Sequence, residues 1–312
     1  MAFSYIGNYP KNRETNWSDS LQGVTHDEEH WYFTQKTKII KFHVSTRLSH
    51  NTDASVEVAH MPKSLERYGG DHFGDPDFIR FNRKGYLFIP VENEEGVNRI
   101  GNAPRIAVFS TDGGLKFIGF YPLPQQNKRQ KTARAGWCAI HPQTRILYSS
   151  HNRIDSRYPV YMYKVDYRRI GQERNRDILT TAGRFELKDS RGNPYIVSRY
   201  LQGGTFSPDG RLILLNGRAS NDTPAREGGI HIFDKNGRIV ERSILGRSRR
   251  IKFRYQYEPG FPNYQEPEGI TYWNLARRQS LPSKKLKGQL HAILLNKQAG
   301  KDNYWFKHYS EH

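Results

Sequence analysis

Three carboxylates stand next to turns and glycines, where side chains are easily aimed at a ligand. They are Asp75 and Asp77 in Gly74-Asp75-Pro76-Asp77-Phe78, and Glu268 in Glu266-Pro267-Glu268-Gly269-Ile270. Two such groups from distant segments can flank a glycosidic bond, one as acid and one as base or nucleophile. They can equally bind a hard cation such as calcium through their oxygens. A structural role, capping strand-end amides or pairing with arginine, is the ordinary alternative. Gln22, Trp137 and Gln202 hold related places in other glycine-bearing phrases, and His72 and His141 stand close by. These five are candidate ligand contacts. His26 and His30, four residues apart, stand around the acidic turn Asp27-Glu28-Glu29, so no histidine pair reads as a helical zinc motif. A second kind of chemistry is offered by Arg247, Arg249, Arg250, Lys252 and Arg254, interleaved with Phe253, Tyr255 and Tyr257. Cations mixed with aromatic rings suit stacking on sugars or bases. Arg249, Arg250, Tyr255 and Tyr257 are the candidates there, with the basic runs around Lys128–Arg134 and Arg277–Lys287 as further positive patches.

The elements that must position these residues read as one unit written five times. Gln22-Gly23-Val24, Gly74-Asp75-Pro76, Gly136-Trp137-Cys138, Gln202-Gly203-Gly204 and Glu268-Gly269-Ile270 each lead into a short apolar stretch, a turn and a second apolar run. Strand-turn-strand repeats of this kind indicate a propeller. The fourth copy is the cleanest: Thr205-Phe206-Ser207-Pro208-Asp209-Gly210-Arg211-Leu212-Ile213-Leu214-Leu215. Asp112-Gly113-Gly114 between Arg105–Phe109 and Leu115–Phe120 marks a hairpin, because those residues tolerate positive φ. The copies stand further apart than the roughly 40–50 residues of compact propeller repeats, leaving room for long loops at 93–104, 166–193 and 216–228. The expectation is an all-β chain, a single β-propeller domain over residues 1–312, five-bladed with six blades as the alternative. Phe3-Ser4-Tyr5-Ile6 beside Tyr304–Tyr309 would close the ring and protect its edges.

Phe206-Ser207-Pro208-Asp209-Gly210, with Gln202-Gly203-Gly204 before it, resembles the blade signature of SMP-30/gluconolactonase-like propellers, and Pro267-Glu268-Gly269-Ile270 is similar to their glutamate-glycine strand. That resemblance implies a divalent cation at the central funnel, and Glu268 is the position that carries over. Gln202 and Gly203 stand where an asparagine of that family belongs, and five units replace six. Gly74-Asp75-Pro76-Asp77-Phe78-Ile79 also resembles strand openings of five-bladed glycoside hydrolases. It implies Asp75 or Asp77 as base or nucleophile, with Glu268 or Glu266 as acid.

Composition narrows the partners. The chain has 312 residues, with 49 Lys and Arg against 31 Asp and Glu, a net charge of +18. Such a field draws in anions without specifying the fold, so glycans, anionic ligands and non-specific nucleic-acid contact all fit. No established nucleic-acid module is present. A single cysteine, Cys138, excludes an internal disulfide and reads as a buried, inert thiol. The N-terminus has no signal-peptide pattern, which as given points to the cytoplasm, with secretion after signal removal left open. No apolar run is long enough to span a bilayer. The polar candidates are scattered, so the leading expectation is a recognition propeller that presents a basic, aromatic-rich surface to a glycan or anionic ligand. The alternative is a funnel-site hydrolase or lyase acting on a carbohydrate or lactone through Asp75 or Asp77 and Glu268.

Overall fold

A computed structural model describes residues 3–11, 13–51, 57–92, 104–124, 134–172, 178–197, 200–218, 229–240, 265–298 and 301–312. Strand formation follows the apolar runs. Blade 1 is β2 (Leu21–His26), β3 (His30–Gln35), β4 (Lys38–His43) and β5 (Glu57–His60). Blade 2 has a divided inner strand, β6 (His72–Phe73) and β7 (Asp77–Phe81), both paired with β8 (Lys84–Glu92), then β9 (Arg105–Ser110) and β10 (Lys116–Pro122). Blade 3 is β11 (Trp137–Ile140), β12 (Leu147–Ser150), β13 (Val160–Val165) and β14 (Leu179–Phe185). Blade 4 is β15 (Leu201–Phe206), β16 (Leu212–Asn216) and β17 (Gly229–Phe233). Blade 5 takes β18 (Gln265–Tyr272), β19 (Leu290–Gln298) and β20 (Lys301–Glu311), and its outer strand is β1 (Phe3–Asn8) from the other end of the chain.

The chain is a five-bladed β-propeller. Neighbouring blades touch through their inner strands in the order β2, β7, β11, β15, β18 and back to β2. The ring closes where β1 pairs antiparallel with β20, Phe3 opposite Glu311 and Tyr5 opposite Tyr309, as the terminal sequences suggest. Pairing the two ends removes an open sheet edge. The turn at Asn82-Arg83 has φ of 49° and 66°, the positive values a two-residue hairpin requires of both central residues.

Five apolar clusters lie between successive blades. The one joining blades 5 and 1 is aromatic, with Trp17, Trp31, Phe33, Phe42, Tyr304 and Phe306. Trp31 meets the rings of Phe306 and Trp273 nearly at right angles, at 5.1 Å and 4.4 Å, contacts worth about 0.5–1.5 kcal/mol each beyond simple burial. Cys138 is buried, and burial raises its pKa well above the ordinary thiol value. Among the described residues, no helix is long and apolar enough to cross a membrane.

Candidate functional site

The five glycine phrases meet at the ring axis, and Asp75 is hydrogen-bonded to the other four. Its side chain is fully buried. One carboxylate oxygen accepts the Val24 N–H of blade 1 at 2.9 Å; the other accepts the N–H of Gly204 in blade 4 at 3.0 Å and of Ile270 in blade 5 at 3.3 Å. Its main chain binds blade 3, donating to the Gly136 carbonyl at 2.8 Å and accepting from the Cys138 N–H at 3.1 Å. One residue of blade 2 therefore ties all four other blades. The break between β6 and β7 makes this reach feasible, since Asp75 sits in the gap with Pro76, which has no N–H to place in a ladder. Gly269 is required beside it, because a Cβ there would stand 2.5 Å from the Asp75 carboxylate. A Cβ on Gly23 would collide with Asp75 itself, and one on Gly204 with the Trp137 ring.

This pin divides the axis into two cavities. Each inner strand begins at one and ends at the other: Gln22 and His26 of β2 line opposite cavities, as do Gln202 and Phe206 of β15 and Glu268 and Tyr272 of β18. We call the cavity at the strand starts the near mouth and the other the far mouth.

The near mouth encloses about 500 Å³, bordered by carboxylates Glu92, Glu266, Glu268 and Asp302, by Lys36 and Arg134, and by the amides of Gln22, Asn152 and Gln202. Gln22, Gln202 and Glu268 share a local cause for their aim. Each lies at a register shift of its strand, between Leu21 and Gly23, Leu201 and Gly203, and Pro267 and Ile270. Bulges of this kind re-aim a side chain and strengthen the local twist. The buried Glu268 carboxylate accepts from the Gln202 side-chain amide. His72 and the Gln22 side-chain oxygen are hydrogen-bonded to each other. The Arg134 guanidinium lies 3.9 Å from the buried Glu92 carboxylate, and Asp302 accepts the Ser20 N–H at 3.1 Å.

Gln22, His72, Gln202 and Glu268 are thus brought together as the sequence pattern anticipates. The remaining expectations need correction or fall elsewhere. Asp75 lines neither cavity, and all its polar reach is spent on backbone, so it is a structural pin and not a base or nucleophile in contact with a ligand. Asp77 opens into the far mouth, on the other side of that pin from Glu268, so the two cannot flank one bond. Its carboxylate accepts from the N–H groups of Ile140 at 2.6 Å and Phe78 at 2.8 Å. Burial pushes its pKa up to about 7 against the lowering pull of those donors and of the Thr25 hydroxyl. Trp137 is fully buried, its indole N–H bound to the Ser150 hydroxyl at 2.9 Å, so it is core and not a ligand contact. His141 borders the far mouth, its Nδ1 facing the N–H groups of Gln143 and Thr144 at 3.3 Å, and burial lowers its pKa. Arg249, Arg250, Tyr255 and Tyr257 lie outside the described residues. For a cation at the funnel, among the described residues no three His, Cys, Asp or Glu side chains are grouped to hold a metal.

Glu92, Lys36 and Asn152 were missed for a geometric reason. The second strand of a blade runs antiparallel to the first, so its last residues return to the mouth where the first strand starts. His72 pairs directly with Glu92. Polar residues just after an apolar second run are the signal that finds them.

No family model matches the chain, and no curated protein matches it. Some solved structures are similar to the chain at low identity. The GH43_1 enzyme from Xanthomonas citri is 11% identical, with 95% of this chain and 88% of that chain covered at a TM-score of 0.46. The tail fiber of Staphylococcus aureus phage P68 is 16% identical, with 99% and 53% covered and a TM-score of 0.48. The α-L-arabinofuranosidase from Lactobacillus brevis is 9% identical, with 93% and 90% covered and a TM-score of 0.49.

Proposed function

We propose that the near mouth is a carbohydrate-processing site, and that the chain is a hydrolase or lyase acting on a neutral glycan. One observation carries this reading: buried Glu268, held by Gln202, shares a polar cavity with buried Glu92 from another blade. Among the described residues, four carboxylates against two cations line the cavity, which makes that lining acidic inside a chain of net charge +18. An acidic cavity disfavours an anionic ligand and suits hydroxyl groups, which can donate to carboxylates and exchange hydrogen bonds with amides. Glu268, accepting from the Gln202 amide, and Glu92 have the places of the carboxylate pair, one as acid and the other as base or nucleophile. This replaces the pairing of Asp75 or Asp77 with Glu268, which the axial pin prevents.

The test is a panel of aryl glycosides, lactones and neutral and acidic oligosaccharides, scored for both turnover and binding. Turnover is expected on a neutral glycan, falling about 10²–10⁴-fold in Glu268→Gln and in Glu92→Gln, the range for loss of a positioned acid or base. Full activity in both variants, or neither binding nor turnover across the panel, overturns the reading.

A further inference from the structure

The far mouth is a second cavity, of about 420 Å³, and the near-mouth chemistry makes no use of it. Its character differs from that of the near mouth. Phe206 and His141 form one wall with ring centroids 4.9 Å apart, and Tyr272 borders the same space. The Asp77 carboxylate is fixed there by the backbone of two strands. At the rim stand two exposed arginines, Arg80 and Arg145, each lying over an aromatic ring, Phe78 at 5.9 Å and Phe81 at 5.5 Å. Among the described residues neither is within ion-pair distance of a carboxylate. Two more carboxylates border the cavity: Glu28, exposed at the rim, and Asp27, which is already committed, accepting from the Tyr32 hydroxyl at 2.6 Å and from the N–H groups of Glu29 and His30.

We infer that the far mouth is a separate binding site for a ligand joining a flat heteroaromatic ring to a phosphate, of the mononucleotide kind. Aromatic faces take up a planar ring, because every base has a π-face. A carboxyl group at the cavity wall reads the ring edge through hydrogen bonds. Guanidinium groups match phosphate in a bidentate fashion, and cation–π contact with Phe78 and Phe81 holds these two at the rim. With Asp77 titrating near neutral pH, its carboxyl group can both accept from and donate to that edge. The Asp75 pin separates this site from the near mouth, so occupancy of one is not occupancy of the other.

Calorimetric titration of the whole chain with AMP, GMP, CMP and UMP, and with the corresponding nucleosides, tests the assignment. At least one nucleotide is expected to bind about ten-fold or more tightly than its nucleoside, the worth of one to two charge-assisted contacts. The double variant Arg80→Gln, Arg145→Gln should bring nucleotide affinity down to that of the nucleoside. Both positions are exposed, so the variant should keep the wild-type Tm. Glu268→Gln, in the near mouth, should leave nucleotide affinity unchanged whether or not the near mouth processes glycans. No binding of any nucleotide at millimolar concentration, equal affinity for nucleotide and nucleoside, or undiminished affinity in the double variant overturns the proposal.

Discussion

Asp75 and Glu268 look alike in the sequence, each a carboxylate beside a glycine at the start of an inner strand, and they do different work. The difference lies in what their oxygens meet. Asp75 receives three backbone N–H groups in a site without solvent, and burial raises its pKa well above the ordinary carboxylate value despite those donors. Removing the side chain would leave N–H groups of three blades without their acceptor. Asp75→Ala should therefore lose about 3 kcal/mol or more of stability, since each orphaned buried donor costs roughly 1–3 kcal/mol. Denaturant unfolding measures this; a loss below 1 kcal/mol would contradict the role of pin. The sequence shows that carboxylates cluster at strand starts. It does not show which of them is enclosed, because that depends on β6 and β7 being parted at Gly74–Pro76.

At the scale of strands, the glycine phrases were legible as a repeat, while their cause was visible only in three dimensions. Gly23 and Gly269 are glycines because their strands press on Asp75, Gly204 because it presses on the Trp137 indole, and Gly74 because it presses on the Gly136 carbonyl. Gly204→Ala should cost about 1–3 kcal/mol, the usual range for forcing atoms into a packed core, read as a lowered Tm; an unchanged Tm would show that Trp137 can move aside. The closing blade carries a pH dependence of its own. His291 and His308 face each other Nδ1 to Nδ1 at 2.7 Å, and their Nε2 atoms face the carbonyls of Trp273 and Tyr9 at 2.8 Å and 3.0 Å. Burial holds His291 well below the ordinary value and pushes His308 down to about 3, so both are neutral when folded. The unfolded chain takes up protons near pH 6.5. The stability these residues contribute is therefore complete above pH 6.5 and lost as pH falls from there towards 3, by about 1.4 kcal/mol per pH unit for each group. Tm measured across that window should fall steeply in the wild type and less steeply in His308→Asn. Parallel curves would contradict the assignment.

For the whole molecule, ring, blade number and closure followed from apolar runs, turn residues and the terminal strands. The site was only half legible: first-strand residues were found, and those returning on second strands were not. Net charge describes the whole chain, +18, while the described residues lining the near mouth carry four carboxylates against two cations. Two consequences separate surface from site. Non-specific binding to heparin or RNA should collapse between 50 and 500 mM salt, because many exposed charges contribute and salt screens them. Turnover of a neutral glycan should change less than about three-fold over the same range, because enclosed groups are screened much less. A steep salt dependence of both would place the ligand on the basic surface.

The most direct test of the account compares Glu268→Gln with the wild type in two readings, glycan turnover and Tm. The account predicts that turnover falls about 10²-fold or more while Tm stays within a few degrees, since Gln keeps the side chain's size and can still face Gln202. Unchanged turnover would contradict the placing of chemistry at the near mouth; a collapse of Tm alongside the lost turnover would make Glu268 a second structural tie like Asp75.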